Sequence, residues 1–449
     1  MARLFGTDGV RGEANTQLPP ELAYRMGRAA TIYFGEHSDG RPQILIGRDT
    51  RISGEMLESA LVAGICSAGG NAILAGVVPT PAVAYLARKL HAAAGIVISA
   101  SHNPFHDNGI KFFGGNGYKL PDKVEDDIEQ IVRDIEAKKF FVRPVGADVG
   151  HIERRQNLLE DYIGFVMSTT SERFDGMKIV LDCANGAAYR AMPAVLERLG
   201  AEVILIGDKP DGLNINDNCG STHMDGLRQA VLQHGADIGI AHDGDADRCL
   251  CIDERGDIID GDHIMIICAK LMLKVGALPD KTIVATVMSN IGFRQAVDEL
   301  GLTCKITAVG DRYVLENMLA NNHRLGGEQS GHIIFPDYST TGDGLITALQ
   351  VLTAMKKFRA TASELNALMT TYPQVLVNVR VRSKDAYKTS EAVKLAIAEG
   401  EAELGTNGRI LIRASGTEPL IRVMAEGPDK NRLMRICNKI AAEVEKCDA

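Results

Sequence analysis

Three aspartates alternate through Asp243-Gly244-Asp245-Ala246-Asp247-Arg248. Carboxylates packed this densely repel one another unless a cation lies among them, and a divalent metal resolves that conflict. Hard oxygen donors favour Mg2+, which takes few carboxylates and completes its shell with phosphate oxygens, so the segment points to phosphoryl transfer. An EF-hand is the simplest competitor because Glu254 falls at its last ligand position. It fails because Arg248 stands where glycine is needed and Ile238-Gly239-Ile240 reads as a strand where a helix is required. A solvated acidic turn is the plain alternative.

Further segments carry groups that suit such a reaction. Ala100-Ser101-His102-Asn103-Pro104 follows an apolar run and is rich in turn formers, which exposes the Ser101 hydroxyl at a strand end. Alone it reads as well as a capped turn. A serine hydrolase fits less well, since Gly-x-Ser-x-Gly is absent and adjacency of Ser101 and His102 makes no triad. Gly326-Gly327-Glu328-Gln329-Ser330-Gly331-His332 offers a carboxylate and a hydroxyl to vicinal sugar hydroxyls, or is a plain glycine loop. With no Trp in the chain, polar contacts dominate any sugar recognition. Arg413-Ala414-Ser415-Gly416-Thr417-Glu418-Pro419, with Arg422 beyond, gathers anion-binding groups where an ordinary hairpin turn is the alternative. Arg11 and Lys111 lie in glycine-containing loops from which a side chain reaches a ligand, or stand as surface charges. Thr341-Gly342-Asp343-Gly344 reads as a turn or N-cap.

The elements that hold these segments repeat. Apolar, β-branched runs at Ile44-Leu45-Ile46, Ile179-Val180-Leu181 and Ile283-Val284-Ala285 recur about every hundred residues, each followed by a helical pattern, which suits repeated α/β domains. In the first, Ser53 reads as the N-cap and Gly69-Gly70 as the stop. The chemical loops at Ser101, Asp243 and Glu328 each follow a second apolar segment, at the strand ends where open α/β sheets bind ligands. The last eighty or so residues differ. Val375, Val377, Val379 and Val381 alternate as a half-buried strand, Ile410, Ile412, Ile421 and Val423 mark two more, and Leu433, Ile436, Ile440 and Val444 share one helix face. The expected architecture is three similar mixed-sheet α/β domains around a central cleft, at 1–153, 154–255 and 256–368, followed by a smaller α+β C-terminal domain at 369–449.

Composition narrows the function class. A chain of 449 residues exceeds one core and implies three or four domains. Its net charge of −9 argues against nucleic-acid binding, which rests on clustered cations. The opening Met1-Ala2-Arg3-Leu4-Phe5-Gly6 lacks the apolar core of a signal peptide, and no apolar run reaches the roughly 20 residues that span a bilayer. A cytoplasmic protein with no membrane or nucleic-acid partner is expected. Nine cysteines without a Cys-x-x-Cys pair read as reduced core residues. Cys249 and Cys251 share a strand face but make a poor zinc site.

Taken together and in this order, the loops at Ser101, Asp243, Glu328 and Arg413 resemble the phosphohexomutase family (α-D-phosphohexomutases) across the whole chain. The resemblance implies a phosphoserine at Ser101 and magnesium held by Asp243, Asp245, Asp247 and the Ser101 phosphate. It implies Lys111, Arg11 and His102 as catalytic helpers, Glu328, Ser330 and His332 as sugar ligands, and Arg413, Ser415, Gly416, Thr417 and Arg422 as the phosphate clamp. Gln329 replaces the family's more usual Met, which is similar to its amino-sugar branch. So are Phe5-Gly6-Thr7-Asp8-Gly9-Val10-Arg11-Gly12 and Asp107-Asn108-Gly109-Ile110-Lys111-Phe112-Phe113.

The implied substrate is a small sugar phosphate. Glucosamine 6-phosphate and glucosamine 1-phosphate would interconvert through a 1,6-bisphosphate, which also primes the serine, and supply UDP-N-acetylglucosamine and cell-wall precursors. A monomer or homodimer is expected, with the C-terminal domain a hinged lid that excludes water. A mannose- or glucose-phosphate mutase shares these residues. A metal-dependent sugar phosphatase and a non-catalytic sugar-phosphate sensor are the readings from other classes.

Overall fold

The structure is a computed structural model that describes residues 3–6, 8–37, 40–139, 141–155, 157–415 and 419–447. It divides into two compact units, residues 1–288 with 303–367, and residues 289–302 with 368–449.

The first unit holds three sheets. The first is built from β1 (Val10–Glu13), β2 (Gln43–Arg48), β3 (Asn71–Val77), β4 (Ala94–Ile98), β5 (Asp107–Gly114) and β6 (Ile152–Arg154), in the order β1-β5-β4-β2-β3-β6. Helices α1 (Pro20–Glu36), α2 (Ser53–Ser67), α3 (Thr80–Lys89) and α4 (Asp122–Glu136) accompany it. One apolar cluster, including Met26, Ile44, Leu61, Ile96 and Ile128, joins α1, α2 and α4 to the sheet. Burial of such side chains, each contributing roughly 1.5–3 kcal/mol, is what fixes the helices there.

After helix α5 (Leu158–Ser168), the second sheet takes β7 (Lys178–Asp182), β8 (Glu202–Ile206), β9 (Ile238–His242), β10 (Cys249–Asp253) and β11 (Ile258–Ile259), ordered β11-β10-β9-β7-β8. Helices α6 (Ala188–Arg198) and α7 (Asp225–His234) connect its parallel strands. The third sheet follows α8 (Gly261–Val275). Its strands β12 (Thr282–Thr286), β13 (Thr303–Thr307), β14 (Gly326–Gly327) and β15 (Ile333–Ile334) run in the order β13-β12-β14-β15. Helix α9 (Ile291–Glu299) belongs to the second unit, whereas α10 (Asp311–Asn321), α11 (Gly344–Phe358) and α12 (Ala362–Asn366) stay in the first.

One arrangement recurs in all three sheets. The strands β4, β9 and β14 each pair in parallel with the domain's leading strand, β2, β7 or β12, and then turn back into an antiparallel neighbour, β5, β10 or β15. The turn from parallel to antiparallel partner is the loop that carries Ser101, Asp243 or Glu328.

The second unit adds β16 (Gln374–Arg380), α13 (Ala386–Thr389), α14 (Glu391–Leu404), β17 (Arg409–Ala414), β18 (Leu420–Glu426) and α15 (Lys430–Cys447). Its sheet is wholly antiparallel, ordered β16-β18-β17. The α15 stripe of Leu433, Ile436, Ile440 and Val444 is buried against it, as the 3.6-residue spacing predicts.

One local expectation fails. Ser53 does not cap α2: Ile52 precedes the helix in helical conformation and accepts no capping bond, while the Ser53 hydroxyl takes a hydrogen bond from Asn108 Nδ2 at 2.9 Å. Asp343 does cap α11, its Oδ1 accepting from the amides of Leu345 and Ile346 at 3.0 Å each. All nine cysteines are free thiols, and the Sγ atoms of Cys249 and Cys251 lie 3.9 Å apart in the core.

Candidate active site

The Ser101 loop is held from three directions. Ser101 has φ +52, a left-handed conformation that costs a non-glycine residue energy and persists only where neighbours impose it. Its amide donates to Ser99 Oγ at 3.0 Å, and its carbonyl accepts from Arg51 Nη2 and Asn216 Nδ2, both at 2.9 Å. Arg51 also donates to the carbonyls of Asn103, Pro104 and Asp107, and its Nε pairs with Asp49 Oδ2 at 2.9 Å. A fully buried guanidinium thus satisfies the turn's orphan carbonyls. Gly244 lets the second loop come close: a side chain there would meet the Ser101 carbonyl oxygen at 2.5 Å.

That approach puts nucleophile and carboxylates together. Ser101 Oγ donates to Asp243 Oδ2 at 2.5 Å, with His102 Nδ1 at 3.4 Å. Burial first, then Arg248 and Arg11, draws His102 down to about 4, so its ring is neutral at physiological pH. Burial, and then Asp247 and Asp245, pushes Asp243 well above the usual carboxylate range. One oxygen each of Asp243, Asp245 and Asp247 lies within 4.8 Å of the others, and all three residues are buried. Asp245 Oδ1 and Asp247 Oδ1 are inaccessible and lack a hydrogen-bond partner. Clustered hard oxygens that repel one another and have nothing to accept from are what a divalent cation satisfies, so the residues fit magnesium.

Beside this cage runs a ring of charged side chains, carboxylate and cation alternating from Asp245 to Asp311. Asp245 Oδ2 accepts from Thr80 Oγ1 at 2.7 Å and Lys111 Nζ at 2.9 Å. Lys111, only 3% exposed, reaches Asp8 Oδ2 at 3.0 Å. Arg11 bonds the same oxygen, and Lys119 joins Asp8 Oδ1 at 2.6 Å to Asp311 Oδ2 at 2.7 Å. His332 lies at its end, with Nε2 3.5 Å from Asp311 and Nδ1 3.4 Å from Asp247, and Nε2 accepts from the Gly342 amide at 3.1 Å. Burial opposes ionisation of Asp8, yet Lys111, Lys119 and Arg11 hold it well below the usual carboxylate range. Asp311 is lowered in the same way by Lys119 and His332 against its burial.

Thus Ser101, His102, Lys111, Arg11, Asp243, Asp245, Asp247 and His332 meet in one site. Glu328 and Ser330 lie on the adjoining turn, which is pinned by Cys249 N–H donating to the Gly331 carbonyl at 3.0 Å and by Gln329 Nε2 donating to Asp260 Oδ2 at 3.1 Å. Glu328 Oε1 accepts from the Gly310 amide at 3.0 Å, and Ser330 Oγ is buried without a partner. In the second unit Arg413 and Arg422 face each other across the β17–β18 pair, and Ser415 is 3% exposed. Gly416 and Thr417 lie outside the described residues. Sequence reasoning passes over Arg51, Asn216, Thr80, Lys119 and Asp311. Asp8 is visible to it only as part of the Arg11 loop.

Three α/β sheets with one loop slot each, a fourth antiparallel domain, and a serine set in a carboxylate cage define a class. Models of phosphoglucomutase/phosphomannomutase match in chain order, with alpha/beta/alpha domain I at residues 2–139, domain II at 160–256, domain III at 260–372 and the C-terminal domain at 376–443. The chain belongs to the phosphoglucomutase/phosphomannomutase family.

Among its curated relatives are the phosphoglucosamine mutases of Brevibacillus brevis, 52% identical over 447 residues and 99% of both chains, and of Symbiobacterium thermophilum, 54% identical over 442 residues and 98% of both. A phosphoglucomutase/phosphomannomutase family protein from Burkholderia thailandensis shares the fold with a TM-score of 0.82 at 23% identity, covering 99% of this chain and 97% of the other. So does Aspergillus fumigatus N-acetylphosphoglucosamine mutase, crystallised with GlcNAc-6P and magnesium, at 0.69 and 18%, covering 99% and 96%.

Proposed function

We propose that the chain interconverts glucosamine 6-phosphate and glucosamine 1-phosphate through a phosphorylated Ser101. Identity above one half, over essentially the whole length, to curated phosphoglucosamine mutases supports the amino-sugar substrate. The observation that carries the mechanism is the Ser101 hydroxyl, 2.5 Å from Asp243 at the rim of the aspartate cage.

In the working cycle the phosphoserine P–O bond breaks as the free hydroxyl of the sugar monophosphate forms a new one. The sugar oxygen loses its proton and Ser101 Oγ regains one, leaving a 1,6-bisphosphate. After the intermediate turns over, Ser101 Oγ takes back the other phosphoryl group and the released sugar oxygen is reprotonated. The Ser101–Asp243 hydrogen bond corresponds to the dephosphorylated stage. Magnesium, held by Asp243, Asp245, Asp247 and a phosphate oxygen of phosphoserine 101, would offset charge on the transferring group.

Lys111 and Arg11 supply fixed positive charge beside the reacting oxygens, and Asp8 and Asp245 set the position of Lys111. His102, neutral and against Ser101 Oγ, orients that oxygen. Glu328 and Ser330 bind sugar hydroxyls, with His332 steadying Asp247 behind them. Arg413, Ser415, Gly416, Thr417 and Arg422 hold the phosphate that is not reacting. Among the described residues no helix is long and apolar enough to cross a membrane. A cytoplasmic role in cell-wall precursor supply is consistent with the amino-sugar product.

The test is kcat/KM for glucosamine 6-phosphate, glucose 6-phosphate and mannose 6-phosphate, measured side by side with Mg2+ and a priming hexose 1,6-bisphosphate. Preference for the amino sugar is expected. A preference for a neutral hexose would remove the substrate assignment while keeping the mechanism, and stoichiometric release of inorganic phosphate would replace the mutase by a phosphatase. Intact mass should show one phosphoryl group on the wild-type chain and none on Ser101→Ala.

A further inference from the structure

The first sheet has chemistry at only one end. Helix α2 starts beside the carboxyl end of β2, where the Ser101 loop lies. Its 15 residues carry the chain roughly 22 Å at 1.5 Å per residue to Ser67, at the opposite edge of the sheet. There a cavity of about 590 Å3 opens, lined by Arg28, Lys138, Lys139 and Arg143 with the apolar Ile135 and Phe141, and by no carboxylate among the described residues.

Arg28 is the telling member. It sits in the middle of α1 and is 3% exposed, yet it has no salt-bridge partner among the described residues. Its neighbours are hydroxyls: Nη1 lies 3.5 Å from Ser67 Oγ, which in turn is 3.1 Å from the Tyr24 phenol. A charge taken out of water this far normally has an anion beside it, because desolvation costs several kcal/mol. Arg143 and Lys138 likewise have no described carboxylate at salt-bridge distance, and only Lys139 is paired, with Asp134 at 2.9 Å. The hydrogen bond from Ser67, then Arg28 and Arg143, draws the Tyr24 phenol below its ordinary range, so both guanidinium groups bear on one point.

Helix dipoles account for part of this charge, since Lys138 and Lys139 follow the C-terminus of α4. They do not account for Arg143, which lies beyond any helix, nor for a buried Arg28, since the partial charge of a helix end does not neutralise a whole cation.

We propose that this cavity binds a small phosphate-bearing anion, with Arg28 at its floor and Lys138 and Arg143 at its mouth. It is a second anion site in the first unit, at the far end of the first sheet from Ser101.

Inorganic pyrophosphate is the probe, titrated by calorimetry into the full chain carrying Arg422→Ala, which weakens the catalytic phosphate loop. One binding event is expected to remain. Lys138→Ala/Arg143→Ala, added to that chain, should weaken it by about a hundredfold or more, since two charge-assisted bonds are lost. Both residues lie at the surface, so the fold is retained, and the double variant with Arg422 intact should turn over at the wild-type rate. Arg28→Lys should bind between wild type and the double variant. Absence of pyrophosphate binding in the Arg422→Ala chain, or affinity unchanged by Lys138→Ala/Arg143→Ala, would overturn the proposal. Binding only at the millimolar concentrations used for crystal soaks would overturn it too.

Discussion

The loop around Ser101 and the loop around Ser330 are built to opposite standards. At Ser101 the amide, carbonyl and hydroxyl all have partners, and a buried arginine and asparagine hold the turn from behind. At Ser330 the hydroxyl is buried with nothing to bond, and Glu328 is tied by one carboxylate oxygen to the Gly310 amide. Groups that stabilise developing charge are most effective when fixed before the reaction, because reorganisation then costs nothing at the barrier. Groups that receive a sugar in two orientations have to keep hydrogen-bonding capacity free. On the proposed reading, rigid reaction chemistry and unsatisfied recognition divide between neighbouring loops.

Ser101→Ala should break the first half of that contrast most severely. Mutase turnover is expected to fall on the order of 10⁴-fold or more, with substrate binding measured by calorimetry nearly unchanged. A loss under tenfold would place the nucleophile elsewhere.

Removing the support behind the loop acts on stability. Arg51→Met strips the buried Asp49 of its cationic partner and takes one donor from each of four carbonyls, so urea unfolding should show a loss of about 3–5 kcal/mol. A loss under about 1 kcal/mol would mean that the loop holds itself.

Asp245→Asn keeps the shape but halves the anchor of Lys111. It should lower kcat by about 10²–10³-fold and weaken Mg2+ activation. Titrating Mg2+ against rate separates the two effects, and an unchanged Mg2+ requirement would exclude Asp245 as a ligand.

The charge ring predicts acid behaviour. Asp8 and Asp311 have folded pKa values below their unfolded ones, so they contribute stability that is complete above the unfolded value and is lost as pH falls through the folded one. Lys119→Met removes a shared partner, moves both groups up, and should start acid unfolding nearer pH ~5, where the wild type holds to below about pH 4. Coincident acid transitions by circular dichroism would dismiss the ring as a stabilising device.

The smallest effect belongs to the open loop. Ser330→Ala should raise KM by about threefold to tenfold, one ordinary hydrogen bond, and leave kcat and Tm almost untouched.

Much of this is legible in the amino-acid sequence. The three aspartates, the Ser101 turn and the Glu328 loop each pack their chemistry into a few consecutive residues, so composition and spacing reveal them. The strands leading into Ser101 and Asp243 are runs of Ile and Val or Ile and Ala, readable as buried. The ring is not legible: Asp8, Lys119 and Asp311 are lone charges, the last two 192 positions apart, joined only once two domains pack. Arg51 reads as an ordinary residue before a helix, and what marks it is the crowd of carbonyls that folding brings to it. Ser53 misleads because a good capping residue stands one place inside the helix, where its hydroxyl serves Asn108 instead.

The repeated passage from a parallel to an antiparallel neighbour amounts to one socket made three times, loaded, on the proposed mechanism, with a nucleophile, a cation cage and a sugar reader. Function is therefore modular along the chain. On the proposed reading, a protein engineer seeking a different sugar would vary Glu328 and Ser330, between β14 and β15, and leave His332, which lies against Asp247, in place.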